Sequence, residues 1–532
     1  MTETILVATD LTEPALALLR ADGAYTVRTV PPQIPAVRDA LHDAVAVILR
    51  DDVPITRDML EQAPHLRLIG RVGASLSGID LDAATRKGVY VMNTPGANAI
   101  AAGEHTLTLM LALSRRLVTA HNSLKDGYWL LDRGRQAGTQ LYGKTLGIIG
   151  LGRVGSIVAL RALSFGMTVL AYDPYIPEDR PIEELIRLVS LKELLSRADF
   201  VSLHVPASTE TRGMINAQAI QQMKRGARLI NTAHGSLIDE AALSEALKQG
   251  HLAGAAVDVY AEEPPYNSPL VGDSRVIHTP RIGDNTVEAM QDLSMGIATQ
   301  VLDALNDEDF RHVVNLPFSS GLDIDYDDAR PSMLMAEKLG AILNVLIRQS
   351  VVRAAMQYRG ESMTGLLRPV TVAFLKGLLA PSSSETVNYV NAPMIASERG
   401  IQVTQAKGLK AGDYLNLFTC QVTLEDGEQI TISATLLDGR EPHIVQINDY
   451  RMNFVPEGHL LIMGSFDQPG VIGRVGTMMA INGVNIASWH TGRATPGGHT
   501  LTILTLDEPM PEPLLTELRQ QDFVRHAHQI RL

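Results

Sequence analysis

Gly150-Leu151-Gly152-Arg153-Val154-Gly155 is a G-x-G-x-x-G that follows an apolar run, Leu146 to Ile149, and opens a stretch of helical pattern. Each glycine has a separate task in that context. Gly150 permits the tight strand-to-helix turn, Gly152 lets a pyrophosphate approach the backbone, and Gly155 lets the helix lie close to the sheet. The helix amino terminus, with Arg153 and Val154 in its first turn, then faces the anion. Asp173 stands eighteen residues after Gly155 at the end of the next apolar run, near the ~20 expected of an acid that receives the ribose hydroxyls. A carboxylate there repels a 2′-phosphate, so the pattern favours NAD over NADP.

Such a motif works only on a parallel sheet, and the surrounding chain reads as one. From Thr145 to Ile277 six strand candidates alternate with helical segments: Leu146 to Ile149, Thr168 to Tyr172, Phe200 to Val205, Arg228 to Thr232, Ala255 to Val259 and Arg275 to Ile277. Six is the count of a complete dinucleotide-binding sheet. Earlier apolar runs (Ile5 to Ala8, Thr26 to Val30, Val45 to Leu49) give a second α/β unit, and Asn98 to Asn122 reads as one long buried helix between two lobes. Ser319 to Asp328, with Ser, Gly and four Asp, reads as a linker. Beyond it, Pro331 to Asn453 mixes one helical pattern with alternating strands. A compact βαβ-type module begins at Leu460.

Composition limits the function classes. A chain of 532 residues with 45% hydrophobic residues supports several packed domains. Fifty-nine acidic against 46 basic residues, a net charge of -13, make nucleic acid and anionic membrane poor partners. The single cysteine, Cys420, closes no internal disulfide and builds no thiolate zinc site. Met1 to Val7 reads as a first strand rather than a signal peptide, and no apolar run reaches the ~20 residues of a membrane span. The expectation is a soluble, acidic, cytoplasmic, multidomain protein.

The flanks of the glycine motif resemble the D-2-hydroxyacid dehydrogenases and, within them, the long phosphoglycerate dehydrogenase family. The resemblance is carried by Leu68-Ile69-Gly70-Arg71, Ala83-Ala84-Thr85-Arg86-Lys87-Gly88, Asn93-Thr94-Pro95, Glu104-His105-Thr106, Ile230-Asn231-Thr232-Ala233, Asp239 to Leu243 and Gly254 to Val259. It continues through Leu375 to Leu379, Val390-Asn391-Ala392 and Glu398-Arg399-Gly400, similar to that family's intervening domain. Asp467 to Gly473 and Gly483 to Ile486 are similar to an ACT regulatory module. The fold implied is α/β, with Rossmann-type doubly wound parallel sheets in two lobes. An α+β intervening domain and a C-terminal ACT domain of βαββαβ order follow. The implied boundaries are 1–98 with 290–316 for the substrate lobe, 99–289 for the NAD lobe, 317–454 for the intervening domain and 455–532 for the ACT domain. The implied activity is NAD-dependent hydride transfer on a phosphorylated 2-hydroxy or 2-oxo acid, as in the oxidation of 3-phosphoglycerate to 3-phosphohydroxypyruvate in serine biosynthesis.

That chemistry needs a cation for the substrate carboxylate and carbonyl, a general acid/base for the hydroxyl proton, and a carboxylate to tune the base. The family supplies Arg, His and Glu in the contexts Ala-Arg-Gly, Pro-His-Ile-Gly and Glu-Glu-Pro. Here the corresponding stretches are Ala233-His234-Gly235, Pro280-Arg281-Ile282-Gly283 and Glu262-Glu263-Pro264. Glu263 matches, while His234 and Arg281 have exchanged places. Three readings follow. In one, His234 handles the proton and Arg281, paired with Glu263, anchors an anion, since arginine is no base near neutrality. In another, the pair suits a different anionic substrate, such as a phosphonate. In the third, the site is a non-catalytic NAD-binding regulator, with His234 a turn histidine and Arg281 a surface ion-pair partner.

By resemblance, Arg50 and Arg71 face a substrate phosphate, and the amides of Ala74 and Ser75 cradle a carboxylate. Asp258 receives the nicotinamide carboxamide, and Val205, Thr232, Ala233 and Gly283 line the same mouth. Ser75, Ser77 and Gly78 depart from the family's loop, and Ser75 in place of Gly restricts the backbone. Arg133 and Arg135 lie where relatives supply a basic residue across a dimer, but the local spacing is longer and the role is not carried over. His204 and His278, at strand ends, are expected to be packed, and His105 lies in the common Glu-His-Thr helix start; none is assigned catalysis. No Cys/His/acid spacing suggests a metal. In the ACT module, Asp467 and Asn485 occupy positions that bind an amino-acid effector, usually serine, and the module implies a homodimer or homotetramer.

Overall fold

The computed structural model describes residues 3–21, 23–129, 137–176, 185–318, 326–360, 365–408 and 414–532. Arg133 and Arg135 lie outside them, as does most of the Ser319–Asp328 segment; its end, with Asp327 and Asp328, is the first turn of the helix Tyr326–Leu346.

Two parallel sheets frame the cleft. The first has the order Tyr25–Thr29, Glu3–Ala8, Ala44–Leu49, Leu68–Arg71, Tyr90–Asn93. Ala44–Leu49 is buried at every residue, as a strand covered by helices on both faces must be. The second sheet runs Ile186–Leu188, Thr168–Tyr172, Thr145–Ile149, Phe200–Leu203, Arg228–Asn231, Gly254–Val257, Val276–His278. Its direction of winding reverses beside Thr145–Ile149, the switch point at which such sheets bind ligands. Seven strands stand where the sequence suggested six. The extra edge strand, Ile186–Leu188, has only three residues with a charged one in the middle, too few to show alternation.

The expected single helix over Asn98 to Asn122 is two, Ala99–Arg115 and Leu117–Lys125, broken at Arg116, whose φ is 52°. The Ser114 carbonyl is taken by the Thr139 amide at 2.8 Å, which stops the helical ladder there. The first helix is largely buried between the lobes, whereas the second buries no residue.

The helix Val287–Leu305 returns the chain to the first lobe, packing on Glu13–Ala21 and on strands Leu68–Arg71 and Tyr90–Asn93. Gly70 makes that approach possible, because a Cβ there would lie 3.0 Å from Val301. The chain then clips itself to the sheet edge, with Val314 N donating to Val91 O at 2.8 Å and Val91 N to Asn315 Oδ1 at 2.9 Å.

The C-terminal half begins with a six-stranded sheet ordered Gln402–Gly408, Val351–Gly360, Asn416–Leu424, Gln429–Leu437, Glu441–Ile447, Tyr450–Phe454. Only its first pair is parallel. Three helices accompany it (Tyr326–Leu346, Leu367–Leu379, Ala392–Glu398), where sequence periodicity suggested one. The first two touch backbone to backbone: a Cβ on Gly377 would meet the Glu337 carbonyl at 1.9 Å. A four-stranded antiparallel sheet closes the chain, ordered Ile486–Arg493, His499–Leu506, His459–Phe466, Val524–Arg531, with helices Val471–Ile481 and Glu512–Arg519 giving βαββαβ.

These parts share a core. One cluster of buried apolar side chains runs from Ile5 and Val7 through Phe310, Phe374 and Ile432 to Leu460 and Ile503. Between the first lobe and the six-stranded domain, Asn388 Nδ2 donates to the Gly88 carbonyl at 2.6 Å. Phe310 sits between Tyr90 and Tyr389, with ring centroids 4.8 and 5.4 Å away. Lys338 Nζ donates to Pro456 O at 2.8 Å, tying the last two domains together.

Candidate active site

The glycine turn has the shape its sequence required. Gly150 has φ 94° and lies against the His204 backbone, while a Cβ on Gly155 would meet the Gly150 carbonyl at 2.0 Å. At Gly152 an added Cβ would meet no atom within 4 Å. Gly152 is also the N-cap of the helix Arg153–Ser164, and no side chain caps it. Free helix-terminal amides beside open space are what a pyrophosphate requires. Asp173 is close by, accepting from Leu151 N at 2.9 Å and Tyr175 N at 3.0 Å, so this acid and the glycine turn are one hydrogen-bonded unit. Arg153 turns away and packs its stem on Gly96.

A cavity of about 350 Å³ lies between the two lobes, and Val154, Val205, Thr232, Ala233, His234 and Asp258 line its nucleotide side. Thr232 is fixed by a 2.7 Å bond between its hydroxyl and that of Thr106. Asn231, fully buried, shapes the turn that presents His234: its Nδ2 donates to His234 O at 2.8 Å and its Oδ1 accepts from Ala233 N at 3.1 Å. Gly235 is required next, since a Cβ there would lie 1.9 Å from the Tyr260 carbonyl. The His234 ring faces the open cleft and has no hydrogen-bond partner among the described residues. Partial desolvation by the cleft walls and the nearby Arg281 guanidinium push its pKa below the usual histidine value, against a smaller opposing pull from Asp51 and Glu263.

Asp258 organises the opposite loop. Its carboxylate accepts from Thr279 Oγ1 (2.6 Å), Ile282 N (2.9 Å) and Gly283 N (2.9 Å), and His105 Nε2 lies 3.3 Å away. Burial alone would raise its pKa, but these donors outweigh it and hold it at about 2. Arg281 rides on this loop in the left-handed region, φ 53°. Its guanidinium spans two carboxylates: Nη1 donates to Glu263 Oε2 at 3.1 Å and Nη2 to Asp51 Oδ2 at 2.8 Å. Glu263 is set by Tyr260 N, which donates to its other oxygen at 3.1 Å. Glu263 therefore partners Arg281 and not His234.

Across the cleft, the 73–75 loop is braced by Gly73 N donating to Thr94 Oγ1 (2.8 Å) and Asn93 Nδ2 donating to Ala74 O (2.9 Å). Ala74 and Ser75 line the cavity, and their amides have no protein acceptor among the described residues. Arg50 also lines it, with Nη2 3.4 Å from Asp284 Oδ2, an oxygen that Asn98 Nδ2 approaches at 3.2 Å.

Arg71 is a correction. It does not face the cleft: it is wholly buried, and its guanidinium donates to the carbonyls of Arg50 and Ser77 (the latter at 3.1 Å), holding the loop from behind. Its alignment with a phosphate-facing arginine did not reveal that the Leu68–Arg71 strand ends pointing inward. Asp51, Asp284 and Asn98, by contrast, escaped the sequence reading. The usable signal was the acid pair Asp51-Asp52 directly after Arg50, and the Asp that follows Gly283.

Of the three histidines assigned no catalysis, His204 lines the cleft but is bonded to Ser202 Oγ at 2.8 Å, and burial lowers its pKa to about 4. His278 bonds Tyr260 Oη at 3.0 Å, and His105 braces Thr279 and Asp258.

In the C-terminal module, Asp467 borders a cavity of about 270 Å³ with Trp489 and Thr491, and accepts from Gly497 N at 2.9 Å. Asn485 is not on that cavity; it donates to Asp507 Oδ2 at 2.6 Å beyond the far end of the strand His499–Leu506. Within one chain the two residues do not meet.

A glycine turn with free helix amides, an acid on the ribose side, and a cleft holding imidazole, guanidinium and carboxylate define an NAD-dependent dehydrogenase of CH–OH groups. Family comparison agrees. Residues 107–283 match the NAD-binding domain of the D-isomer specific 2-hydroxyacid dehydrogenases, 328–448 the D-3-phosphoglycerate dehydrogenase intervening domain, and 459–523 the ACT domain. The D-3-phosphoglycerate dehydrogenase of Methanocaldococcus jannaschii is 40% identical over 97% of both chains. That of Bacillus subtilis is 36% identical over 92% of this chain and 93% of its own. The chain belongs to the D-3-phosphoglycerate dehydrogenase family. Among solved structures, the D-lactate dehydrogenase of Aquifex aeolicus with NAD and lactic acid superposes with a TM-score of 0.52 at 29% identity, over 57% of this chain and 96% of that one. The TT0316 protein of Thermus thermophilus gives 0.55 at 34%, over 58% and 99%.

Proposed function

We propose that the interlobe cleft carries out reversible oxidation of a small phosphorylated 2-hydroxy acid, with 3-phosphoglycerate the first candidate, and that the exchanged residues have exchanged duties. The observation that carries this reading is that His234 and Arg281 line one cavity together with Ala74 and Ser75, whose amides have no protein acceptor among the described residues, while Glu263 holds Arg281 from beside it. Bound NAD supplies the hydride acceptor; Gly150, Gly152, Gly155 and Val154 would hold its pyrophosphate, Asp173 its ribose, and Asp258, Thr232 and Ala233 its nicotinamide end. The 74–75 amides and Arg281 receive the substrate carboxylate, and Arg50 its distal anion. As the C–H hydride leaves, His234 takes the hydroxyl proton and the C–O bond becomes a carbonyl; the reverse direction returns both. His234 suits the task because its lowered pKa leaves it neutral, hence able to accept a proton, at physiological pH.

The same reading makes the protein a cytoplasmic homodimer or homotetramer. Leu117, Leu124, Tyr128 and Trp129, each more than half exposed, are apolar surface that a second copy would cover. An amino acid such as serine at Asp467 would be held with Asn485 of another copy rather than of the same chain.

The experiment is direct. Incubation with NAD and 3-phosphoglycerate, and with NADH and 3-phosphohydroxypyruvate, is followed at the nicotinamide absorbance. Turnover abolished by His234→Ala supports the reading, and turnover indifferent to it removes His234 from the chemistry. Tight NAD binding without turnover of any phosphorylated or phosphonate hydroxy acid favours an NAD-binding regulator.

A further inference from the structure

Two ion pairs close the cleft between the lobes. Arg281 reaches Asp51, 2.8 Å away, and Arg50 reaches Asp284, 3.4 Å away. The inner cavity that holds His234 and an outer one of about 480 Å³ share all four of these residues. The pairs thus stand between the two spaces, beside His234.

The cations of these pairs are already engaged. Arg50 and Arg281 face three carboxylates, those of Asp51, Glu263 and Asp284, with the buried Arg71 behind Asp51. Arg281 has one terminal nitrogen on Glu263 and the other on Asp51, so both of its terminal nitrogens are taken up by protein carboxylates. Adding a substrate anion to the intact set would bring like charges together in a partly desolvated space. The substrate has to take the place of one of the acids.

Asp51 is the acid that can yield. Glu263 is fastened at its second oxygen by Tyr260 N, and it shares the nucleotide lobe with Arg281. Asp51 comes from the other lobe, and its bond to Arg281 must break, with that of Arg50 to Asp284, for the lobes to part at this point. Its charge would not be stranded. The buried Arg71 guanidinium lies behind it, and its own backbone amide also supports the carboxylate.

We infer that Asp51 is a specificity-determining residue: it holds Arg281 as an internal stand-in for the substrate carboxylate and must be exchanged for it on binding. The inference rests on Arg281 being the carboxylate anchor. The exchange favours ligands that present a forked carboxylate able to replace Asp51 on both geometry and charge. It disfavours neutral or singly bonding groups, which cannot displace it.

The test measures oxalate binding to the full-length protein saturated with NADH, by calorimetry, for wild type, Asp51→Asn, Asp51→Ser and Arg281→Met. Oxalate carries the carboxylate and adjacent oxygen shared by every substrate under consideration, and it does not react. Removal of the competing charge should tighten oxalate binding on the order of tenfold in both Asp51 variants, with NADH affinity unchanged as the check on folding. Equal or weaker binding by Asp51→Asn and Asp51→Ser, or no binding by either, overturns the inference. Arg281→Met separates the two levels. Weak binding there with unaltered Asp51 variants leaves Arg281 as the anchor and removes Asp51 from selectivity. Wild-type binding by Arg281→Met refutes the anchor itself, and the inference with it.

Discussion

His105 Nε2 stands 3.3 Å from Asp258 Oδ1 and 3.2 Å from Thr279 Oγ1, so a helix of the interlobe seam braces the loop that carries Arg281. Arg281 is in the left-handed region, which a long side chain adopts only when its surroundings impose it. The imposing group is Asp258, through the amides of Ile282 and Gly283.

That arrangement has a pH signature. Asp258 is held at about 2, below the ordinary carboxylate value, so its contribution is complete above pH ~4 and is lost as pH falls through about 2. The depression corresponds to about 2 kcal/mol of stability. Asp258→Asn should lower the unfolding free energy by that order at pH 7, and the gap to wild type should narrow steadily below pH 4. Urea melts across pH 7 to 3 check it; a gap independent of pH would contradict the assignment.

His105→Ala removes a donor to a buried carboxylate and should cost about 1.5–3 kcal/mol. The loss should be accompanied by weaker NAD binding, since the loop it braces lines the nicotinamide end. Calorimetric NAD titration beside the melt separates the two effects.

On the proposed mechanism, His234 sets the acid limb of the rate profile. Its pKa lies below the usual histidine value, and the base must be unprotonated to receive the hydroxyl proton. Alcohol oxidation should therefore persist at pH values where an unperturbed histidine, near 6.5, is already charged. Glu263→Gln removes a negative charge that opposes the lowering and should move the limb further toward acid. His234→Ala should reduce kcat by about 10²–10⁴ and abolish that limb. Steady-state rates from pH 5 to 9 decide the matter.

The second and third glycines of the turn separate folding from cofactor binding. Gly155→Ala drives a methyl into the Gly150 carbonyl and should lower the melting temperature as well as NAD affinity. Gly152→Ala meets only open space, so the fold should be kept while NAD binding weakens at least tenfold. Equal NAD affinity for wild type and Gly152→Ala would remove that space from the cofactor site.

Arg71→Met tests the corrected role. It leaves two inward carbonyls without donors at the foot of the Arg50–Asp51 segment and should destabilise by about 2–4 kcal/mol. A change confined to KM, with the melt unchanged, would restore the substrate role instead.

What the sequence made legible follows from the range of each force. The glycine turn and Asp173 were readable because every constraint on them is local: a tight bend, a close helix, an acid at the next strand end. Arg71 was not, since direction at a strand end depends on whether the next turn offers carbonyls or solvent. Asp51 was missed for a related reason. Its partner lies 230 residues away in the other lobe, and nothing near it in the chain announces a guanidinium. The break at Arg116 depends on the Thr139 amide, which periodicity within the helix cannot register. Strand Ile186–Leu188 exists only because Thr168–Tyr172 offers it an edge.

The attachment of the first lobe to the C-terminal half has a mechanical meaning. Asn388 grips Gly88, Phe310 is wedged between Tyr90 and Tyr389, and Lys338 binds the carbonyl of Pro456. The jaw that carries Arg50 and Asp51 is therefore packed as one body with the C-terminal half, and if the lobes part it would move with that mass rather than alone. A clamp placed on the distal end would then be felt at the cleft through packed surfaces, without a separate chain of rearranging side chains.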